Sequence, residues 1–245
     1  MAKPTLCITL AAALLGLAAA APAATLTVGS KNFTEQFLIA EMTSRLLEKH
    51  GFTVDERTGL GSVILRQAME NGQVDVYWEY TGTSLITYNK IDAPLSPEET
   101  YQKVKELDAA KGIVWLEPSR VNNTHAFAMN PDQAEKHHLK TLSDLGAAMQ
   151  AGAEFTLACG PEFIERPDGL KPMQKVYGFD FDRSAIKRMD PGLVYQALRN
   201  RQVDIGLVYT TDGRIPAFGF MLLEDDKGYF PAYAMTPVVR QETLD

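Results

Sequence analysis

This chain is constrained most by a passage that occurs twice. Residues 67–76, Gln-Ala-Met-Glu-Asn-Gly-Gln-Val-Asp-Val, return at 196–205 as Gln-Ala-Leu-Arg-Asn-Arg-Gln-Val-Asp-Ile, an offset of 129 with no gap. The match runs on to Tyr80-Thr81 and Tyr209-Thr210. Coincidence within a common helix–turn–strand pattern is the competing explanation. Against it, the polar Asn, Gln and Asp recur in register along with the apolar positions. Each copy reads as a helix, a turn and a strand ending in Tyr-Thr. In open α/β sheets, ligands bind beyond the carboxyl ends of the strands. Two such units facing one another would put two tyrosines across a cleft.

The pattern around the repeat alternates. Thr25–Ser30 is a short alternating apolar run, a strand. From Thr34 to His50 the apolar Phe37, Leu38, Met42, Leu46 and Leu47 fall on one helical face, with Thr34 as N-cap and Gly51 as stop. Phe52–Glu56 is a strand, Ser62–Glu70 a helix ended by Asn71-Gly72, and Val74–Tyr80 a strand. This β-α-β-α-β order implies parallel strands with helices on the faces. A helix from Pro97 to Ala110 and a strand at Ile113–Leu116 complete the first unit, and Glu117-Pro118-Ser119 marks a boundary. The second unit reads as a strand at Thr124–Met129, a helical stretch to His138, a helix capped by Ser143 and a strand at Phe155–Ala158. Helices at Gly169–Tyr177 and Pro191–Asn200 follow, with strands at Val203–Tyr209 and Met221–Leu223. The turn Asp225-Asp226-Lys227-Gly228 leads into Phe230–Arg240.

Residues 1–23 read as a secretory signal. Lys3 precedes an apolar run from Leu6 to Ala20 broken only by Thr9 and Gly16, and Ala21-Pro22-Ala23 offers small residues for a signal peptidase. The run is short for the ~30 Å of bilayer hydrocarbon, and Cys7 has no lipobox before it. A periplasmic location is expected. Cys159 is then the cysteine that remains, so an intramolecular disulfide is unavailable. It ends the apolar run Phe155–Ala158 and reads as a small buried strand-end residue. The net charge of −7, without a Lys/Arg block, excludes nucleic acid and anionic lipid as expected partners.

A quaternary ammonium has no N–H to donate, so ordinary hydrogen bonds cannot recognise it. The negative faces of aromatic rings can, at about 0.5–2 kcal/mol each. Tyr80 and Tyr209, at the duplicated strand ends, are the first candidates. Tyr233, between Pro231 and Pro237, is the third. Tyr101, Tyr177 and Tyr195 read instead as core rings. If the solute also carries a carboxylate, a fixed cation must meet it. Arg166, in the restrained Pro161–Pro167 segment, and Lys31, just past the first strand, are the candidates, and a surface ion pair is the alternative for both. Thr83 lies where its hydroxyl could reach the same oxygens.

At these residues the chain resembles the substrate-binding proteins of glycine betaine/carnitine/choline ABC transporters. Gly29-Ser30-Lys31-Asn32-Phe33-Thr34-Glu35-Gln36 is similar to the family's opening motif. Asp75–Thr83, Asn122-Asn123-Thr124, Glu162–Arg166, Tyr209-Thr210-Thr211-Asp212-Gly213 and Pro237-Val238-Val239-Arg240 are similar to its other signatures, in the same order. The resemblance covers Leu26 to Arg240. It implies a two-lobed periplasmic-binding-protein (type II) α/β fold, each lobe a mixed sheet flanked by helices, with the ligand cleft between lobes. Lobe one would hold residues 25–118 plus 229–245, and lobe two residues 119–228. It further implies that Lys31, Tyr80, Thr83, Arg166, Tyr209 and Tyr233 match ligand-contact positions, and that the partner is an inner-membrane ABC permease. His125 stands where the family has tyrosine. A neutral imidazole still presents a ring face, but imidazolium would repel a cation. If His125 lines the site, affinity should fall as pH drops through its ordinary pKa near ~6.5. The family pattern also continues well past Pro237–Arg240, whereas this chain ends at Asp245, so a shortened product is expected.

The expected function is therefore capture of a quaternary-ammonium solute by a monomeric importer component without a cofactor. The lobes would close on the solute through contacts that exist only when both halves meet. A binder of another zwitterion, an amino acid or ectoine, is the first rival. It would need an acceptor for ammonium protons, for which Glu79 and Asp212 are placed near the cleft. A sensor domain of the same fold is the second. A hydrolase using Cys159 and a histidine is the third. His50, His125, His137 and His138 are the histidines, and no Gly-x-Ser-x-Gly, phosphate loop or His-Glu-x-x-His motif is present.

Overall fold

The computed structural model describes residues 24–245, so the signal expected at 1–23 lies outside the described residues. The chain runs β1 (Thr25–Lys31), α1 (Thr34–Lys49), β2 (Thr53–Leu60), α2 (Ser62–Glu70), β3 (Val76–Tyr80), a π-helical turn at Thr83–Tyr88, α3 (Pro97–Ala109) and β4 (Ile113–Trp115). It continues through β5 (His125–Met129), α4 (Pro131–Lys136), α5 (Leu142–Gln150), β6 (Leu157–Cys159), α6 (Pro161–Glu165), α7 (Leu170–Tyr177) and β7 (Ile186–Arg188). Then come α8 (Pro191–Arg199), β8 (Ile205–Tyr209), α9 (Arg214–Phe218), β9 (Met221–Leu223), β10 (Met235–Arg240) and α10 (Gln241–Leu244).

The strands form two five-stranded sheets, β2-β1-β3-β10-β4 and β7-β6-β8-β5-β9. We call each sheet with its helices a lobe. Four strands of each sheet point the same way, as the alternating pattern implies. The remaining one runs the other way, because it arrives from the other half of the chain. β10 returns antiparallel between β3 and β4, and β5 enters antiparallel between β8 and β9. The chain therefore crosses between lobes twice, and the sheets are mixed.

The repeat occupies equivalent places in both sheets, with β3 and β8 at their centres. Its polar register has a physical cause. Asp75 Oδ2 accepts the Thr27 N–H at 2.7 Å, and Asp204 Oδ2 accepts the Thr156 N–H at 2.8 Å. Each aspartate ties the start of its strand to the neighbouring parallel strand. The Gln73 and Gln202 N–H groups close the preceding helices on the Ala68 and Ala197 carbonyls. Gly72 and Arg201 both take a left-handed conformation there, φ 72° and 57°. Glycine adopts it freely; an arginine does so at a steric cost.

Two caps differ from expectation. Thr34 is the first residue of α1, and Phe33 occupies the N-cap without a side-chain bond. Thr141, not Ser143, caps α5, in a reciprocal arrangement with Asp144. The apolar face of α1 also differs. Gln36, Ala40 and Ser44 lie against the sheet, while Leu38, Met42 and Leu46 are about three-fifths exposed (61%, 64% and 58%). Small and hydrogen-bonding residues win the inner face because Gln36 Nε2 donates to the Trp78 carbonyl and Ser44 Oγ to Glu56. On the opposite side of that sheet Leu65, Met69, Tyr77, Val104 and Trp115 pack into an apolar core, each such burial contributing about 1.5–3 kcal/mol. Tyr101, Tyr177 and Tyr195 are core rings. No helix among the described residues is long and apolar enough to cross a membrane.

Candidate functional site

β3 and β8 end side by side at the junction of the lobes. A cavity of about 180 Å³ opens there, lined by Lys31, Tyr80, Thr83, His125, Arg166, Tyr209 and Tyr233. All seven residues singled out from sequence thus meet at one place. The volume is well below the ~300–1,000 Å³ of drug-sized pockets, which suits a small solute. A broader groove of about 1200 Å³ beside α5 and α7 is lined by Gln150, Lys171, Asp180 and Ser184 among others. It is open to solvent, cannot strip water from a small solute, and holds none of the seven.

The lobe-one wall is built on Glu79, buried on β3. Its carboxylate pairs with the Lys31 ammonium and accepts from Tyr77 Oη at 2.9 Å, Tyr88 Oη at 3.1 Å and the Tyr80 N–H at 2.7 Å. Burial lowers the pKa of Lys31, and Glu79 opposes the shift. The Lys31 ammonium sits 5.0 Å from the centroid of the Tyr80 ring. Tyr80 itself is fixed through its hydroxyl, which accepts from Gln36 Nε2 at 3.0 Å and donates to Glu35 Oε1 at 2.7 Å.

The lobe-two wall is built on Arg166, at the end of α6. Its Nε and Nη2 clamp Asp168 at 2.7 and 2.5 Å, and Nη1 reaches Glu162 at 3.4 Å. Nη2 also donates to Thr83 Oγ1, from lobe one, at 3.3 Å. Burial pushes Asp168 up, but Arg166 outweighs it and holds the carboxyl at about 2. Tyr233, on the second crossover, donates its hydroxyl to Asp168 Oδ2 at 2.6 Å. Glu162 Oε2 crosses the cleft to accept the Ser62 N–H at the start of α2, at 3.1 Å.

His125 begins β5, opposite Tyr209 in the ladder. Phe163, Tyr209, Phe230 and Tyr233 surround its ring at 5.3–5.5 Å between centroids. Burial, aided by Arg166, lowers its pKa to about 3. The ring is therefore neutral across the physiological range, and the titration expected near its ordinary pKa does not occur there. Its Nδ1 is buried without a hydrogen-bond partner, as are Asn123 Oδ1 and Thr124 Oγ1.

Sequence reasoning missed Phe33, whose ring stacks on Tyr209 at 4.3 Å and 16° and lies 6.0 Å from Tyr80. Tyr80 and Tyr209 thus face one cavity with Phe33 beside them. Its signal was its position two residues after Lys31. Glu162 was missed as well. The acceptors expected for a rival ligand are occupied: Glu79 by Lys31 and the tyrosines, and Asp212 by Arg214 at 2.6 and 2.9 Å. Cys159 is buried, and burial pushes its thiol up to about 12, so it is not a thiolate at neutral pH. Among the described residues no cluster of His, Cys, Asp or Glu could hold a metal.

Comparison with known proteins gives the family of the chain. The family model of the substrate-binding domain of ABC-type glycine betaine transport systems matches residues 24–245. A glycine-betaine-binding protein of Pseudomonas aeruginosa is 50% identical over 241 residues, covering 96% of this chain and 78% of that protein. The glycine betaine-binding protein YehZ of Escherichia coli is 36% identical, covering 96% of this chain and 79% of its own. A crystal structure of a glycine betaine/carnitine/choline ABC transporter protein superimposes with a TM-score of 0.66 at 30% identity, over 89% of this chain and 81% of that one.

Proposed function

The chain belongs to the family of substrate-binding domains of ABC-type glycine betaine transport systems, and from that premise we propose that its cleft holds a trimethylammonium group against the faces of Tyr80, Tyr209, Tyr233 and the neutral ring of His125. It is a solute-binding component of an ABC importer for quaternary amines, not an enzyme, and it works with an ABC permease outside the cytoplasmic membrane.

One observation carries the reading of the site. The cavity's cations are already matched, Lys31 by Glu79 and Arg166 by Asp168, so the wall left for a solute is largely aromatic. Ring faces are what a fully methylated nitrogen can use once it is dehydrated. Where the solute carries a carboxylate, Arg166, Lys31 and Thr83 form the polar end of the cavity. The finer elements of the reading are residue spans 25–118 plus 229–245 and 119–228 for the lobes, export to the periplasm with removal of residues 1–23, and action as a monomer.

Glu162 favours one second reading. It is a cavity carboxylate whose partners are Arg166 and one backbone N–H, and it could accept protons from a primary ammonium, as in an amino acid. Titration calorimetry separates the two. Choline, glycine betaine and carnitine should bind, and the uncharged carbon analogue of choline should bind about tenfold or more weakly. Equal binding of the analogue would remove the ring-face account, and a preference for amino acids would install the second reading.

A further inference from the structure

We propose that Glu35, which does not line the cavity, is a positioning residue that aims the Tyr80 ring, registers closure of the lobes and so sets how long a captured solute stays. The proposal rests on the reading of the cleft as a quaternary-ammonium site. Glu35 lies in the first turn of α1. Its carboxylate collects three donors from three separate stretches of chain. Tyr80 Oη, at the end of β3, donates to Oε1 at 2.7 Å. Asn123 Nδ2, on the crossover into lobe two, donates to the same oxygen at 2.8 Å. Thr211 Oγ1, on the loop after β8, donates to Oε2 at 2.6 Å. The ends of both copies of the repeat therefore meet on one side chain.

Two consequences follow from the chemistry. The first concerns Tyr80. A phenol that donates to a carboxylate is polarised toward phenolate, and its ring face becomes more negative, which strengthens attraction for a cation. The second concerns closure. Tyr80 shares a lobe with Glu35, so that bond survives when the lobes part. Thr211 belongs to lobe two, and its bond exists only when they meet. The same rim carries the stacking of Phe33 on Tyr209 and a bond from Arg214 Nη2 to Thr34 Oγ1 at 2.8 Å. Contacts present only in the closed state bias the equilibrium toward it and slow release. None of the three donors to Glu35 is charged, so its negative charge stays available at the rim to favour a cationic guest.

Stopped-flow measurement of glycine betaine association and dissociation on the whole chain tests this. Glu35→Gln keeps the side-chain shape and one acceptor but loses the charge. It should raise the dissociation rate about tenfold or more, with the association rate changed less than about threefold. Thr211→Ala should raise dissociation by about threefold, and the double variant should be no worse than Glu35→Gln alone, because both act through one bond. The melting temperature without solute should stay at the wild-type value for Thr211→Ala, whose bond exists only on closure, and fall slightly for Glu35→Gln, which weakens the bond from Tyr80. A dissociation rate for Glu35→Gln within about twofold of wild type, or multiplicative effects in the double variant, would overturn the proposal. So would a ligand-free melting point that falls with Thr211→Ala, since that bond would then serve the fold and not closure. If the wild-type chain binds none of glycine betaine, carnitine and choline, the reading of the cleft fails first and this proposal falls with it.

Discussion

In lobe one the cavity's cation, Lys31, is paired with Glu79, and every further donor to that carboxylate, from Tyr77, Tyr88 and the Tyr80 backbone, comes from the same lobe. In lobe two Arg166 is paired with Asp168, but the network is finished from outside, by Thr83 of lobe one and Tyr233 of the second crossover. The tyrosines differ in the same sense. Tyr80 is buried and anchored by its hydroxyl, whereas Tyr209 is half-buried and lies against Phe33 across the junction. One duplicated scaffold thus carries a wall that is complete within its lobe and a wall that is complete only when the lobes meet. The second wall supplies what closure on a solute requires, contacts that the open form lacks.

The largest test of this difference is removal of each cation. Lys31→Met leaves Glu79 buried and uncompensated in either state, and should cost about 3–5 kcal/mol of folding stability, read by urea denaturation without solute. Arg166→Met leaves Asp168 uncompensated mainly when the lobes are closed. Its loss should therefore be seen chiefly in solute affinity, with a smaller effect on ligand-free unfolding. Equal unfolding losses for the two variants would break the comparison.

The shared scaffold is tested next. Asp75→Ala and Asp204→Ala each remove the charged acceptor that ties a central strand to its neighbour, and each should cost about 1.5–3 kcal/mol by thermal or urea unfolding. Asp75 should cost more, because it also accepts from Arg240 at 3.1 and 3.2 Å and from Thr243 at 3.1 Å, while Asp204 has only Thr156 besides. Identical losses would mean that the partners on β10 and α10 contribute nothing.

A smaller effect is expected at the rings. Tyr209→Ala should weaken solute binding by about 1–2 kcal/mol while unfolding stays cooperative, measured by calorimetry alongside a melt. Tyr80→Ala should lose affinity and stability together, since it also removes a buried hydroxyl with two partners. If Tyr209→Ala leaves calorimetry unchanged, the site assignment is wrong.

Those contrasts explain what is legible in the amino-acid sequence. The repeat and the strand-end tyrosines were legible because backbone-directed residues recur for a local reason, such as Asp75 and Asp204 bonding the next strand. The seven cavity residues were legible from strand ends and from the resemblance of their motifs. The inner face of α1 was not, because periodicity counts apolar residues, and here Gln36 and Ser44 are drawn inward by acceptors from distant parts of the chain. The bond of Arg166 to Thr83, and of Thr211 to Glu35, spans folded segments and leaves no trace in spacing. The lowered pKa of His125 is not legible in the sequence for a similar reason: the ordinary pKa belongs to a solvated ring, and burial among four aromatic rings removes that solvent.

The smallest expected effect on binding follows from that last point. His125 belongs to the second wall, with a folded pKa lowered to about 3 against ~6.5 for a free histidine. The unfolded chain therefore binds a proton at this residue over a range in which the folded chain does not. Stability contributed by the neutral ring is complete above the unfolded pKa and declines as pH falls, by about 1.4 kcal/mol at pH 5.5. Affinity behaves differently. Between pH 8 and pH 5.5 neither His125 nor Asp168, held at about 2, changes charge in the folded protein. Calorimetry across that range should therefore give a flat dissociation constant, while the urea midpoint drifts downward on the acid side. His125→Phe should remove this residue's share of that drift and leave the flat affinity in place. An affinity that falls toward pH 5.5 would mean that imidazolium forms inside the cavity. The second wall would then be wetter, and less dependent on closure, than its ring packing requires.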